Sequence, residues 1–227
     1  MAAILLLATA GATLGQESKD PLPQVDRKRR VVRFEAVLHL HAFEKGEPPG
    51  HHLITWRRGR AGKHALLQTA VSDRAVLDAL ESLGAKPGDN LVEESWTERA
   101  NPSHPAPDLR AKGPKLSITI VIQRPKQPEL RIPVEKLLVD RDKRGFDWRV
   151  AGNRDLIKRW RSGCVVCLQS CPGSKVANAK ATMRHLHAKA SRFKPSKLAV
   201  ELGEGAQVTV ELALARLPES RPTRDGR

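Results

Sequence analysis

From Val31 the chain alternates, with Val32, Phe34, Ala36, Leu38 and Leu40 on one face and Arg33, Glu35, Val37 and His39 on the other. That is the period of a strand half exposed to solvent. After the turn residues Glu47-Pro48-Pro49-Gly50, residues 51–56 predict a second strand and 66–71 continue the sheet. Ser72 is placed to cap a helix in which Val76, Leu77, Leu80 and Leu83 make an apolar stripe and Gly84 with Pro87 marks the stop, so a helix is expected over about 73–84. Pro102, Pro105, Pro107 and Pro114, set among polar residues, predict an exposed loop over 97–114. Strands resume at 116–122, at Leu130 and Ile132, and at 208–214. Between the last two regions Val176, Ala179, Met183, Leu186, Ala190 and Phe193 recur at intervals of three and four. This spacing predicts a second helix with Gly173 and Ser174 at its cap, although so thin a stripe also fits a strand-like course. The fold class expected from these patterns is α+β, with a largely antiparallel sheet.

The chain has 227 residues, enough for one domain, expected over 31–215. Residues 1–15 are apolar and uncharged, and Thr13 and Gly15 are small enough to flank a cleavage point. That run reads as a signal peptide and falls short of the ~20 apolar residues that span a bilayer. The mature chain is therefore expected outside the cytoplasm, periplasmic or secreted, with no membrane-spanning segment. A linker is expected over 16–30, ending in Arg27-Lys28-Arg29-Arg30, and a disordered tail over 216–227.

The net charge of +15 is uneven, because residues 156–200 contain no Asp or Glu. Arg159, Arg161, Lys175, Lys180 and Arg184 in that stretch are the candidate anion-binding residues. In an exported protein such a face suits an anionic envelope component or an acidic partner, and the plainer alternative is a solvated Arg-rich face. With four Phe, four Trp and no Tyr, the aromatic residues are too few for a single-stranded nucleic-acid platform, and nucleic acid is not an expected partner.

All three cysteines fall in Cys164-Val-Val-Cys167-Leu-Gln-Ser-Cys171-Pro172. A C-x2-C pair on a tight turn lets two thiolates converge on one ion, and a third thiolate four residues later can close the same side. Arg159, Arg161 and Lys175, with a helix N-terminus near Ser174, would favour the thiolate form. The spacing resembles the last three cysteines of the bacterial ferredoxin run C-x2-C-x2-C-x3-C-P, but Arg161 stands where a further cysteine would be, so the chain alone cannot ligate a four-iron cluster. A Cys3His site for zinc or iron is stoichiometrically open, with His64, His185 or His187 as fourth ligand. His51 with His52, and His39 with His41 on one strand face, are weaker metal candidates that more often decorate an edge. A disulfide with one free thiol is the rival reading in an oxidising compartment, and a purely structural bridge is the third. No nucleophile elbow, P-loop, GxGxxG or HExxH anchors an enzyme activity.

Lys63-His64-Ala65-Leu66-Leu67, residues 71–77, residues 79–88, Lys112-Gly113-Pro114, residues 132–138 and residues 148–152 together resemble the YdjY-type family of exported bacterial proteins, over roughly 31–214. The family's usual His-Glu pair is His64-Ala65 here, and the stretch after Trp148 is less aromatic than the family pattern. The resemblance implies an exported α+β domain of uncharacterised function, described as ferredoxin-like for its cysteines.

Three functions follow as expectations. The leading one is a metal-binding or iron-sulfur electron-transfer accessory protein that meets a redox partner. The others are a thiol-disulfide protein and a basic envelope-binding module.

Overall fold

The computed structural model describes residues 20–45, 50–98, 101, 108–189 and 192–215. The expected signal peptide, the first three residues of the turn at 47–50, the loop prolines Pro102, Pro105 and Pro107, and the tail lie outside the described residues.

Gln24–Asp26 (β1) pairs antiparallel with the alternating segment, Val31–Leu38 (β2). The stretch read as a linker therefore contributes a strand from residue 24. Alternation predicts that β2 runs on to Leu40, but it ends at Leu38. There the Glu204 carboxylate accepts the N–H groups of Leu40 at 2.7 Å and His41 at 3.3 Å and contacts His39 Nδ1 at 3.0 Å, which satisfies the first turn of a short helix, Leu40–Glu44 (α1). The proposed His39/His41 pair is thereby split between a strand end and a helix. His52–Trp56 (β3) and Ala65–Thr69 (β4) follow.

The expected helix is present as Asp73–Ser82 (α2), where the Ser72 hydroxyl accepts the Ala75 N–H at 3.2 Å and Gly84 takes a φ of 84° at the exit. Beyond it lie Glu94–Thr97 (α3), Leu116–Ile122 (β5), Leu130–Pro133 (β6), Leu138–Asp140 (β7) and Trp148–Val150 (β8). The chain closes with Arg154–Trp160 (α4), Cys164–Cys167 (β9), Val176–Asn178 (β10), Met183–His187 (α5), Phe193–Pro195 (β11), Lys197–Leu202 (α6) and Gln207–Leu214 (β12).

Ten strands form one sheet in the order β6-β5-β12-β2-β4-β3-β9-β10-β8, with β1 on β2. The β3–β4 and β9–β10 pairs are parallel and the others antiparallel, so the sheet is mixed but mostly antiparallel. It curls until its β8 edge returns to β5, where Val150 N–H donates to the Pro114 carbonyl at 3.0 Å and Lys115 bridges Arg149. The inward residues Phe34, Val210 and Ile120 face one another across β2, β12 and β5, and Val76, Leu77 and Leu80 of α2 join the same core. This core is mainly aliphatic, as the composition requires.

The helix predicted after the cysteines is largely replaced. Val176–Asn178 is a strand, and among the described residues of this stretch the only helix is the five-residue α5, capped by Thr182 rather than by Gly173 or Ser174. Residues 163–179 are all buried, so the recurrence of apolar residues reports burial on every side and not one helical face.

Glu211 of β12 is 3% exposed, lies opposite Arg33 of β2 and pairs with both Arg33 and Arg131. Burial raises its carboxyl, but hydrogen bonds from Arg131 and Arg33 outweigh this and hold it below the usual carboxylate range. The unfolded chain therefore protonates Glu211 at a higher pH than the folded chain does. Its stabilising contribution is complete above an unfolded value of about 4.3 and is lost as pH falls through the lower folded one. Urea midpoints are expected to drop on acidification through this window, and less steeply in Glu211→Gln; equal slopes in the two proteins would refute it.

Candidate metal centre

The Cys164–Cys167 pair does not sit on a tight turn. Cys164 and Cys167 lie in β9, flanked by antiparallel β3 and parallel β10. Residues i and i+3 of a regular strand point to opposite faces, yet the Cys164 and Cys167 sulfurs lie within 4.8 Å of each other. Two register shifts against β3, between His52 and Ile54 and between Ile54 and Thr55, break the alternation and allow this. Cys171 follows in a turn whose carbonyl accepts both the N–H of Ser174, at 3.2 Å, and its hydroxyl, at 2.7 Å. Met183 and Leu186 of α5 pack over the three cysteines, with Trp96 of α3 beside them.

Gly163 positions the start of β9. Its φ is 73°, and a Cβ there would meet the Gly59 Cα at 2.6 Å, so no other residue fits without moving the loop that supports Cys164. Gly163→Ala is expected to cost more than the ~1 kcal/mol of an ordinary glycine replacement at positive φ. A thermal melt within a degree of the parent would contradict this.

Two histidines from the other end of the sequence meet the cysteines. Gly50, at a φ of 67°, turns the chain into His51 and His52 at the head of β3. His52 Nδ1 lies 3.3 Å from Cys164 Sγ. The His51 ring, 1% exposed, stacks on the His52 ring with centroids 4.1 Å apart and on Trp96 at 5.5 Å. Two sets of potential ligands result, His52–Cys164–Cys167 and His51–Cys167–Cys171, and within each set the ligand atoms all lie within 4.8 Å of one another. A cavity of about 340 Å³ opens onto His51, His52 and Cys171, with Trp96 in its lining and the exposed Arg60 and His64 beside it.

The thiols have distinct electrostatics. Burial raises Cys164, but the Cys167 hydrogen bond, the charge and hydrogen bond of His52 and the charge of Lys175 bring it down to about 5. The Cys167 hydrogen bond also lowers Cys171, against burial and the Cys164 charge, with help from His52 and the Gly173 N–H. Burial and the donation of its hydrogen bonds to both neighbours push Cys167 well up. For His52, burial lowers the pKa but the Cys164 and Cys171 charges overcome it and raise it. A thiolate–imidazolium pair, Cys164 with His52, is therefore the favoured charge state, with Cys167 as the shared donor.

The residues expected from sequence divide clearly. Cys164, Cys167 and Cys171 come together. His64 reaches the cavity but neither ligand set. His185 is engaged with the Thr182 backbone in the cap of α5, His187 is exposed on the same helix, and neither enters a ligand set. Lys175 is no anion-binding surface group: it is fully buried, paired with Asp73 of α2, and donates to the Gly173 carbonyl at 3.1 Å. The helix end expected near Ser174 is absent, so Lys175 and His52 supply the positive field in its place. Arg159 is exposed and pairs with Glu93 at 2.8 Å; Arg161 ends α4 in a left-handed conformation; Lys180 and Arg184 are exposed around α5. His51 and His52 are the site residues that sequence reasoning undervalued. The adjacent pair after a turn was a signal, but only the β3–β9 pairing brings it to the cysteines.

A model of the YdjY domain matches residues 24–213 of the chain. Among curated proteins, the Uncharacterized protein YdjY of Escherichia coli (strain K12) is 28% identical over 131 residues, which are 58% of this chain and 52% of that protein. The chain thus matches about half the length of this relative. No solved structure matches. Among the described residues no helix is long and apolar enough to cross a membrane.

Proposed function

The chain belongs to the YdjY domain family, and from that premise and the site's geometry we propose that it is an exported accessory domain whose three cysteines and His51 and His52 form a thiolate–imidazole metal centre. The observation that carries this reading is the pair of ligand sets, each within 4.8 Å. Zinc bound at about 2.3 Å to sulfur and about 2.0 Å to nitrogen places its ligand atoms roughly 3.5–3.8 Å apart. The 3.3 Å between His52 Nδ1 and Cys164 Sγ is already close to that span. Thiolates that hold an iron-sulfur cubane each bind a different iron and must stand farther apart, and a fourth cysteine is lacking. Individually ligated zinc, copper or iron therefore fits better than the cluster suggested by the ferredoxin-like spacing. The three soft thiols and His51 are buried, His52 is half-buried, and outer contacts support them, as when Cys167 Sγ approaches the His51 carbonyl at 3.6 Å. Placement outside the cytoplasm rests on the apolar, uncharged run of residues 1–15.

Anaerobically purified protein should carry stoichiometric metal and lack the broad visible absorption of an iron-sulfur cluster. Metal-free protein from its native compartment, in three or more preparations, would remove the reading. A second reading, thiol-disulfide exchange, draws on the Cys164–His52 pair, which supplies a thiolate at neutral pH. One bridge and one free thiol per native chain would favour it, and three metal-protected thiols would exclude it. The envelope-binding reading is weakened by the burial of Lys175 and the pairing of Arg159.

A further inference from the structure

We propose that the centre holds two ions rather than one, with the Cys167 sulfur bridging an ion bound by His52 and Cys164 to a second bound by His51 and Cys171. This rests on the reading that the cysteines bind metal and specifies what they bind: two thiophilic d10 ions, copper(I) or zinc(II).

The ligand geometry separates into halves. Cys167 alone belongs to both sets, and the five ligand atoms do not form one mutually close group. A single ion in either set would leave one buried thiol and one imidazole of the other set idle. A thiolate sulfur has lone pairs for two metals, and Cys167 Sγ lies within 4.8 Å of both Cys164 Sγ and Cys171 Sγ. An ion seated on either side would draw on Cys167.

The backbone is arranged for the same outcome. Successive residues of a regular strand point to opposite faces. His51 and His52 instead stack side by side at 4.1 Å, and each serves a different ligand set. His51 lies just before the first residue of β3, next to the register shift that also realigns Cys164 and Cys167. One irregular stretch of sheet thus supplies a symmetric donor arrangement of imidazole, thiolate, shared thiolate, thiolate and imidazole.

Charge admits two ions. With all three thiols ionised, two Cu⁺ ions leave a net −1 and two Zn²⁺ ions a net +1, in a site where Cys164 and Cys167 are fully buried and Cys171 is 4% exposed. Three protein ligands per ion satisfy copper(I), while zinc would take a small fourth ligand. The cavity that reaches His51, His52 and Cys171 provides the access path for the ions and for such a ligand.

The test is an anaerobic titration of the reduced full-length chain with Zn(II) and, separately, with Cu(I), reading bound ions per chain by native mass spectrometry. Two ions per chain are expected, falling to one in Cys171→Ser and to one in Cys164→Ser. One ion in the unsubstituted protein overturns the two-ion site and leaves the metal-binding reading standing. No bound ion overturns both. Two ions that persist in both variants overturn the assignment of ligands. The count in the unsubstituted protein decides the main point even where a variant fails to fold.

Discussion

Replacing Asp73 by asparagine is expected to lower the stability of the fold by about 3–5 kcal/mol, the usual cost of removing one partner from a buried ion pair. The Lys175 side chain is fully buried and that of Asp73 is 5% exposed, so the substitution strands an ammonium group where water cannot reach it. The asparagine amide oxygen and the Gly173 carbonyl, 3.1 Å from Nζ, still accept hydrogen bonds from it, but neither carries the negative charge that balances the ammonium. Asp73 also lies in the first turn of α2, where a carboxylate is favoured by the helix dipole. Set against a typical total of about 5–15 kcal/mol, the loss is large. It should appear as a lower urea midpoint with little change in slope. The double replacement Asp73→Leu with Lys175→Met should recover much of it, because the strain comes from one charge left alone and not from the absence of the pair. A loss below about 1 kcal/mol in the single variant would mean that the pair behaves as a solvated one.

The site depends on this pair. Lys175 follows the turn that carries Cys171, and its charge helps to lower Cys164. Asp73 joins that turn to α2, whose Val76, Leu77 and Leu80 are fully buried in the core.

Cys167→Ser is expected to remove metal altogether, a larger effect than any other single change at the centre. Cys167 is in both ligand sets, whereas each other ligand is in one. Serine nearly preserves the size and the hydrogen-bonding capacity of the side chain, but its hydroxyl is a poor ligand for a soft ion at neutral pH. The drop in affinity should exceed the ~10–100-fold that accompanies loss of an outer hydrogen bond. Competition against a chelator of known affinity, followed by elemental analysis, measures it. Unchanged metal content in a folded Cys167→Ser protein would show that the cysteine is not a ligand.

Some of this was readable in one dimension. Strict alternation locates β2 and β5 because their residues divide between a core and an outer face. Ser72, the stripe from Val76 to Leu80 and Gly84 delimit α2 because capping and helical periodicity are local properties. Clustering of every cysteine in the chain within eight residues marks the chemistry. Where burial is complete, these signals fail. The segment from Gly163 to Ala179 has no solvent face, so its apolar spacing implied a helix that is mostly strand and turn. Short elements also escape: α3 and α4 span four and seven residues, too few for a periodic stripe to stand out.

What the sequence by itself determined is the clustering of the three thiols, the strands and helix that make the core, and the surplus of positive charge along the segment that holds them. Only the tertiary structure decided which residues complete the site. His51 and His52 stand more than a hundred positions from the cysteines and reach them because β3 pairs antiparallel with β9 across shifted register. His64, His185 and His187 looked equally eligible in a list of residues. Eligibility of a ligand is a matter of ångströms, and separation along a chain says nothing about distance once the strands that carry the ligands are joined by hydrogen bonds. Lys175 makes the same point for charge: a lysine in a basic run reads as surface, and its partner, Asp73, lies across the fold where no local pattern could connect them.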